Sequence, residues 1–181
     1  MKDLMIDIET LGTGSNAVMI QLSGVFFDPG TKKAGRVFDR CLGVDDSVAK
    51  GFEKDKSTEQ WWKEQNQDIF NGIINRGEDC RTVMKDFLDF SICPIAGDPP
   101  RIWSHATFDF VIVNNYLSKL GFRKLDFRKA MDIRTLTYLS DLDTSCYDWD
   151  NKTHNALDDC LFQINYCSDA INIIKGNNVH I

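Results

Sequence analysis

An α/β fold, with one mixed sheet flanked by helices, is what this sequence of 181 residues predicts. Three observations carry that expectation. β-Branched and aromatic runs of strand length crowd the first quarter of the chain, stripes at helical spacing fill most of the remainder, and one short strand-like run returns midway. Strands followed by helices with a returning strand make layers around one sheet.

Residues 3 to 10 (DLMIDIET) and 18 to 28 (VMIQLSGVFFD) read as strands. Pro29-Gly30 and the residues after it mark a turn into a third run, Arg36 to Leu42, giving an antiparallel meander. Ser57-x-x-Gln60 reads as a capping box opening a helix whose apolar stripe is Trp62, Ile69, Phe70 and Ile73. A second stripe follows at Cys80, Val83, Met84, Phe87 and Leu88. Cys93 to Pro100 reads as a loop, Arg101 to Ser104 as a short buried strand, and Phe108 to Leu120 as a helix ended by Gly121. Asp132 to Ser140 reads helical and Asp141 to Lys152 as an acidic loop. The chain then closes on a long amphipathic helix, Asn155 to Ile174, striped by Leu157, Leu161, Ile164, Cys167, Ile171 and Ile174.

Composition bounds the function. A hydrophobic content of 43% supports a single buried core, and 27% charged residues exclude a disordered or collagen-like chain. One domain over residues 1–181 is expected, since neither repeats nor a linker interrupt it. No apolar run has the length and character of a membrane span, and Met1-Lys2-Asp3 leads straight into structure. A cytoplasmic protein without a membrane partner is therefore expected. The six cysteines include no C-x-x-C pair and read as reduced thiols, mostly in the core. The formal charge of -6 argues against a nucleic-acid partner, because such proteins usually present a positive field to phosphate.

The first strand carries the chemistry. Side chains alternate across a strand, so Asp7 and Glu9 share one face while Leu4, Ile6 and Ile8 share the other. On a central strand covered by helices, two ionised acids are costly unless paired or bound to metal, and Mg²⁺ takes such oxygen ligands. An edge strand with a solvated polar face would show the same alternation. Asp109 opens the helix after the Arg101 to Ser104 strand. Asp159 lies near the start of the last helix, projecting well away from its apolar stripe, with His154 in the loop before it. Singly, each acid also reads as a residue favoured by the helix dipole, and His154 as a plain loop residue.

Taken together, Asp7-x-Glu9-Thr10, Phe108-Asp109, and His154 five residues before Asp159 resemble the three motifs of the DnaQ-like, DEDDh-type 3'-5' exonucleases, in the same order over essentially the whole chain. The five-residue offset from His154 selects Asp159 over its neighbour Asp158. Thr58 to Gln65 (TEQWWKEQ), Ile102 to Phe110 (IWSHATFDF) and Phe127 to Leu136 (FRKAMDIRTL) are similar to the branch that includes the mycobacterial exoribonuclease-like domain and phage exonuclease A. His105-Ala106-Thr107 departs from the Gly or Asn that many relatives carry near this point.

The resemblance implies a ribonuclease-H-like fold with a five-stranded mixed sheet flanked by helices on both faces. It also implies hydrolysis at the 3' end of single-stranded RNA or DNA, releasing nucleoside 5'-monophosphates. The implied cofactors are two divalent ions, Mg²⁺ or Mn²⁺, about 4 Å apart. Asp7 would bridge both, Glu9 and Asp159 would bind the one that activates water, and Asp109 would act directly or through water. His154 would be the general base, an imidazole whose ordinary pKa is about 6.5. Thr10 and Leu11 would meet the terminal nucleotide at its 3'-hydroxyl and last base. Phe108 is placed to stack, and Trp61, off the apolar stripe that holds Trp62, would stack a base or pack on a loop.

Discounting the four proposed ligand acids brings the charge to -2, which weakens the objection to nucleic acid. A basic excess between Lys119 and Arg134 would steer phosphate or form a solvated face. An endonuclease on the same fold and a non-catalytic nucleic-acid-binding module are the competing readings. The choice of RNA or DNA stays open, as does the oligomeric state, with which a homodimer is compatible.

Overall fold

A computed structural model describes residues 1–92, 99–147 and 153–176. The expected loop at 93–98, with Cys93, and the part of the acidic loop at 148–152 lie outside the described residues. β1 (Asp3–Thr10), β2 (Met19–Asp28), β3 (Lys33–Cys41), β4 (Arg101–Ser104) and β5 (Ala130–Asp132) form one sheet in the order β3-β2-β1-β4-β5. The β1–β2 and β2–β3 pairs are antiparallel, while β4 runs parallel to both β1 and β5. This is the five-stranded mixed sheet of the ribonuclease-H-like fold.

Helices cover both faces. α1 (Val44–Ala49), α2 (Lys56–Glu64), α3 (Gln67–Asn75), α4 (Cys80–Ser91) and α5 (Asp109–Lys119) precede or flank β4, and α6 (Ile133–Ser140) and α7 (Ala156–Ile174) follow β5. One core joins Leu4, Ile6 and Ile8 of β1 to Trp62, Phe87, Ile112 and Tyr116. The other joins Met5 of β1 and Trp103 of β4 to Ile133, Cys160, Ile164 and Cys167. The alternation along β1 therefore separates two cores. All eight residues of β1 are buried, so it is a central strand and the solvated-edge alternative falls.

Several local expectations are corrected. Asp55, rather than Ser57, caps α2: its carboxylate accepts from the Ser57 amide and hydroxyl, both at 2.9 Å. An ionised acid is the stronger acceptor at a helix N-terminus. The stripe from Trp62 to Ile73 is split between two helices, because Gln65 turns extended and the Asn66 side chain caps α3. α1 and the three-residue β5 carry no periodic signal, being too short to show one.

The stripe of α7 is rotated from the one expected. Leu161 and Ile174 are exposed, and the buried face runs through Ala156, Cys160, Gln163, Ile164, Cys167 and Ala170. Asp159 is buried beside that face instead of projecting away from it. Of the described cysteines, Cys41, Cys80, Cys160 and Cys167 are buried free thiols and Cys146 is exposed. No helix among the described residues is long and apolar enough to cross a membrane.

Candidate active site

Strand lengths create the site. β4 pairs only with Asp3, Leu4 and Met5, so the second half of β1 runs on past the end of its parallel neighbour. Crevices at the carboxyl ends of parallel strands are where ligands bind in such sheets. Asp7 and Glu9 stand in this stretch, opposite Ser23 and Gln21 of β2.

From β4 the chain turns through His105 to Phe108 into α5, and the turn is held by main-chain bonds. The His105 carbonyl accepts from the Phe108 amide at 2.8 Å and the Asp109 amide at 3.1 Å. Asp109, the first residue of α5, accepts the His105 amide on Oδ2 at 2.8 Å and is 2% exposed. The Asp132 carboxylate caps α6 through Thr135 and also takes the Ala106 amide at 3.2 Å, tying β5 to this turn.

The third wall is the start of α7. Asn155 caps the helix, and the buried Gln21 side chain docks it by accepting the Ala156 amide at 3.0 Å while donating to Asp39 at 2.8 Å. Asp159 is thereby set over β1. Gln163, one turn further on, donates to Asp7 Oδ1 at 2.6 Å, while its own Oε1 has no hydrogen-bond partner among the described residues. His154 has φ +51°, a left-handed conformation that few residues other than glycine adopt. Its ring lies edge-on to Trp61, with centroids 4.8 Å apart.

These walls converge. Asp7, His105 and Asp109 each offer a ligand atom within 4.8 Å of the others, and so do Glu9, His154 and Asp159. Burial first, and then the charges of Asp109, Glu9 and Asp159, push Asp7 well above the usual carboxylate range, with the Gln163 bond opposing. Burial pushes Asp109 up to about 7 against the His105 amide and Arg134. Behind them the Cys160 thiol is held far up by burial and by the same acids. The cluster thus favours holding protons or cations, and its oxygen and imidazole donors are of the types that divalent ions take.

Beside the acids lies a cavity of about 500 Å³ lined by Glu9, Thr10, Thr13, Ser57, Trp61 and Phe108, among others. Trp61 is 39% exposed and Phe108 is half-buried, so an aromatic surface borders the acid cluster. Trp62 belongs to the core, and its indole donates to the Thr10 carbonyl at 2.8 Å. The Thr10 hydroxyl itself donates to the Gly12 carbonyl at 2.7 Å. Leu11 is 4% exposed within the first core and does not line the cavity. In the basic segment, Lys119 is engaged by Asn16 and the Gly51 carbonyl.

Sequence reasoning had no means of finding Gln163 and Gln21. Their amides matter through distant partners, and the only local hint was a polar residue spaced four after Asp159 on a buried helix face.

The fold and sequence have relatives. The family model described as the 3'-5' exoribonuclease Rv2179c-like domain matches residues 2–171. An exodeoxyribonuclease of Enterobacteria phage T4 is 33% identical over 90 residues, which are 46% of this chain and 39% of that protein. E. coli exonuclease I in complex with a dA16 oligonucleotide superposes with a TM-score of 0.67 at 12% identity, over 97% of this chain and 41% of the other. A zinc-bound form of the E. coli exonuclease I complex with single-stranded DNA gives 0.65 at 12% identity, over 92% and 39%. The chain spans about two fifths of the length of these relatives. At that identity the structural likeness speaks for the fold, and it agrees with the ribonuclease-H-like sheet described above. By the match over nearly its whole length, the chain belongs to the 3'-5' exoribonuclease Rv2179c-like domain family, within the DnaQ-like exonucleases.

Proposed function

We propose that the chain is a metal-dependent 3'-5' exonuclease that removes nucleoside 5'-monophosphates from single-stranded nucleic acid. The observation that carries this reading is the convergence of Asp7, Glu9, Asp109, Asp159 and His154 from β1, α5, α7 and the loop before α7 at the open end of β1, next to an aromatic-edged cavity.

Asp7, Glu9, Asp109 and Asp159 would hold two divalent ions, Mg²⁺ or Mn²⁺, which when bound supply an activated water and stabilise the leaving oxygen. Asp7 stands central to this set, with one oxygen fixed by Gln163. His154 takes the proton of the attacking water, its ring steadied by Trp61. Trp61 and Phe108 stack terminal bases, a contact worth about 1–3 kcal/mol per base and indifferent to sequence. Thr10 meets the 3' end, while the buried position of Leu11 suits it to supporting this wall from behind.

Both polymers are candidate substrates, because the matching family model is described as an exoribonuclease and the phage relative as an exodeoxyribonuclease. The test uses matched 5'-labelled single-stranded RNA and DNA with free or blocked 3' ends, with Mn²⁺ or with EDTA. A ladder shortening from the free 3' end is expected, abolished by EDTA and by Asp7→Ala. Internal fragments would favour an endonuclease. Retention without cleavage, indifferent to EDTA, would leave only a binding module.

A further inference from the structure

We propose that His105 is itself a metal ligand, completing with Asp7 and Asp109 a nitrogen-containing site that favours Mn²⁺ or Zn²⁺ over Mg²⁺. This rests on the nuclease reading and goes beyond it, since the resemblance assigns His105 no role.

The geometry is local. One imidazole nitrogen of His105 and one carboxylate oxygen each of Asp7 and Asp109 lie within 4.8 Å of one another. Adjacent donors on a cation bonded at about 2.0–2.2 Å stand about 3.0–3.6 Å apart, so side-chain rotations that draw the three atoms together by up to roughly 1–2 Å complete the triangle. The His105 Nδ1 is 3.9 Å from Asp109 Oδ2, beyond hydrogen-bond reach, so the ring faces the carboxylate without bonding to that oxygen. The turn itself is held by main-chain bonds. Its shape is set by the His105 amide and carbonyl, as described above, and the side chain is 20% exposed, which leaves an entry path.

The donor set decides the preference. Mg²⁺ takes oxygen and sheds its waters reluctantly, whereas imidazole raises affinity for ions later in the first transition row. Replacing water or oxygen by one imidazole at the Asp7–Asp109 position therefore penalises Mg²⁺ selectively. A different role for the same ring would be a competing positive charge that offsets Asp109, and this predicts the opposite sign on substitution.

The experiment is calorimetric titration of metal-stripped wild-type and His105→Gln proteins with MnCl₂, ZnCl₂ and MgCl₂, without substrate. At one of two sites, His105→Gln should weaken Mn²⁺ and Zn²⁺ binding by about tenfold or more. Mg²⁺ binding should change by less than about threefold. Equal losses for all three ions, no loss, or tighter binding by the variant would overturn the inference while leaving the nuclease reading intact. A wild-type protein that binds none of the ions would sink both. If His105→Gln fails to unfold cooperatively, electron spin-echo modulation of Mn²⁺ in His154→Gln replaces it. A directly bound nitrogen then supports the assignment and its absence overturns it.

Discussion

Stripped of metal, the protein should lose stability as the pH rises from about 5 to about 7.5, and Asp109→Asn should remove the part of that loss that Asp109 contributes. The cause is burial, which lifts Asp109 from its ordinary 3.8 to about 7. Between those values the folded chain keeps a proton that the unfolded chain has released. The native state binds more protons there, so its stability falls with rising pH until the folded group has titrated. At about 1.36 kcal/mol per unit, the whole shift corresponds to roughly 4 kcal/mol, of which about 2–3 kcal/mol falls above pH 5. Asp7, raised chiefly by burial and then by Asp109, Glu9 and Asp159, acts in the same direction. The downward-shifted acids Asp46, Asp79, Asp132 and Asp143 lose their contribution only as the pH falls below about 4, outside this window. Against a total stability of about 5–15 kcal/mol, the effect is readily measured.

The assay is urea unfolding of chelator-treated protein, followed by tryptophan fluorescence at each pH. Asp109→Asn suits it because the carboxamide oxygen still accepts the His105 amide, bonded at 2.8 Å in the wild type. The variant should match or exceed wild-type stability at about pH 7.5 while losing activity. Adding Mn²⁺ should stabilise the wild type more at high pH than at about pH 5, where protons compete for the same oxygens. A wild-type profile that is flat or rising across the window, with Asp109→Asn parallel to it, would refute the reasoning.

Two further outcomes follow from contacts at the site. Gln163→Leu should lower kcat by about 10- to 100-fold through the loss of the bond to Asp7. Because it also removes the unpartnered Oε1, it should leave the urea midpoint nearly unchanged, and an unaltered kcat would show that the amide does not position Asp7. Trp61→Ala should raise KM for single-stranded substrate by roughly 5- to 150-fold, the equivalent of one stacked base. If only kcat falls, Trp61 serves by supporting the His154 ring.

Much of this was legible in the letters. β1, β2, α4 and α5 carry unbroken apolar patterns bounded by turn residues, and all lie where those patterns place them, to within a residue or two. α7 shows why periodicity can mislead near a site. Its buried face includes Gln163, Ser168 and Asp169, and the first and last of these polar residues are used by partners far along the chain. Asp169, for example, pairs with Lys32 at 2.7 Å and accepts from Tyr147. A count of apolar letters passes over those positions and draws the stripe through Leu161 and Ile174, which are exposed.

Asp3 and Asp7 sharpen the point, because they are two buried acids on the same face of the same strand. Alternation alone gives no reason to prefer one as a ligand. Strand register supplies the difference: Asp3 stands opposite Arg101, whose guanidinium makes two bonds to it of 2.7 Å each, and the Trp103 indole adds a third at 2.8 Å. Asp3 is thus neutralised within the fold. β4 ends before it can do the same for Asp7, which Gln163 and His105 approach along with three further acids. A buried carboxylate without an internal counter-charge raises the free energy of the fold, and a cation bound from outside relieves that cost. The site therefore arises where a short strand stops covering a longer one, and extending β4 to bring a basic residue opposite Asp7 should stabilise the metal-free fold and abolish cation binding together.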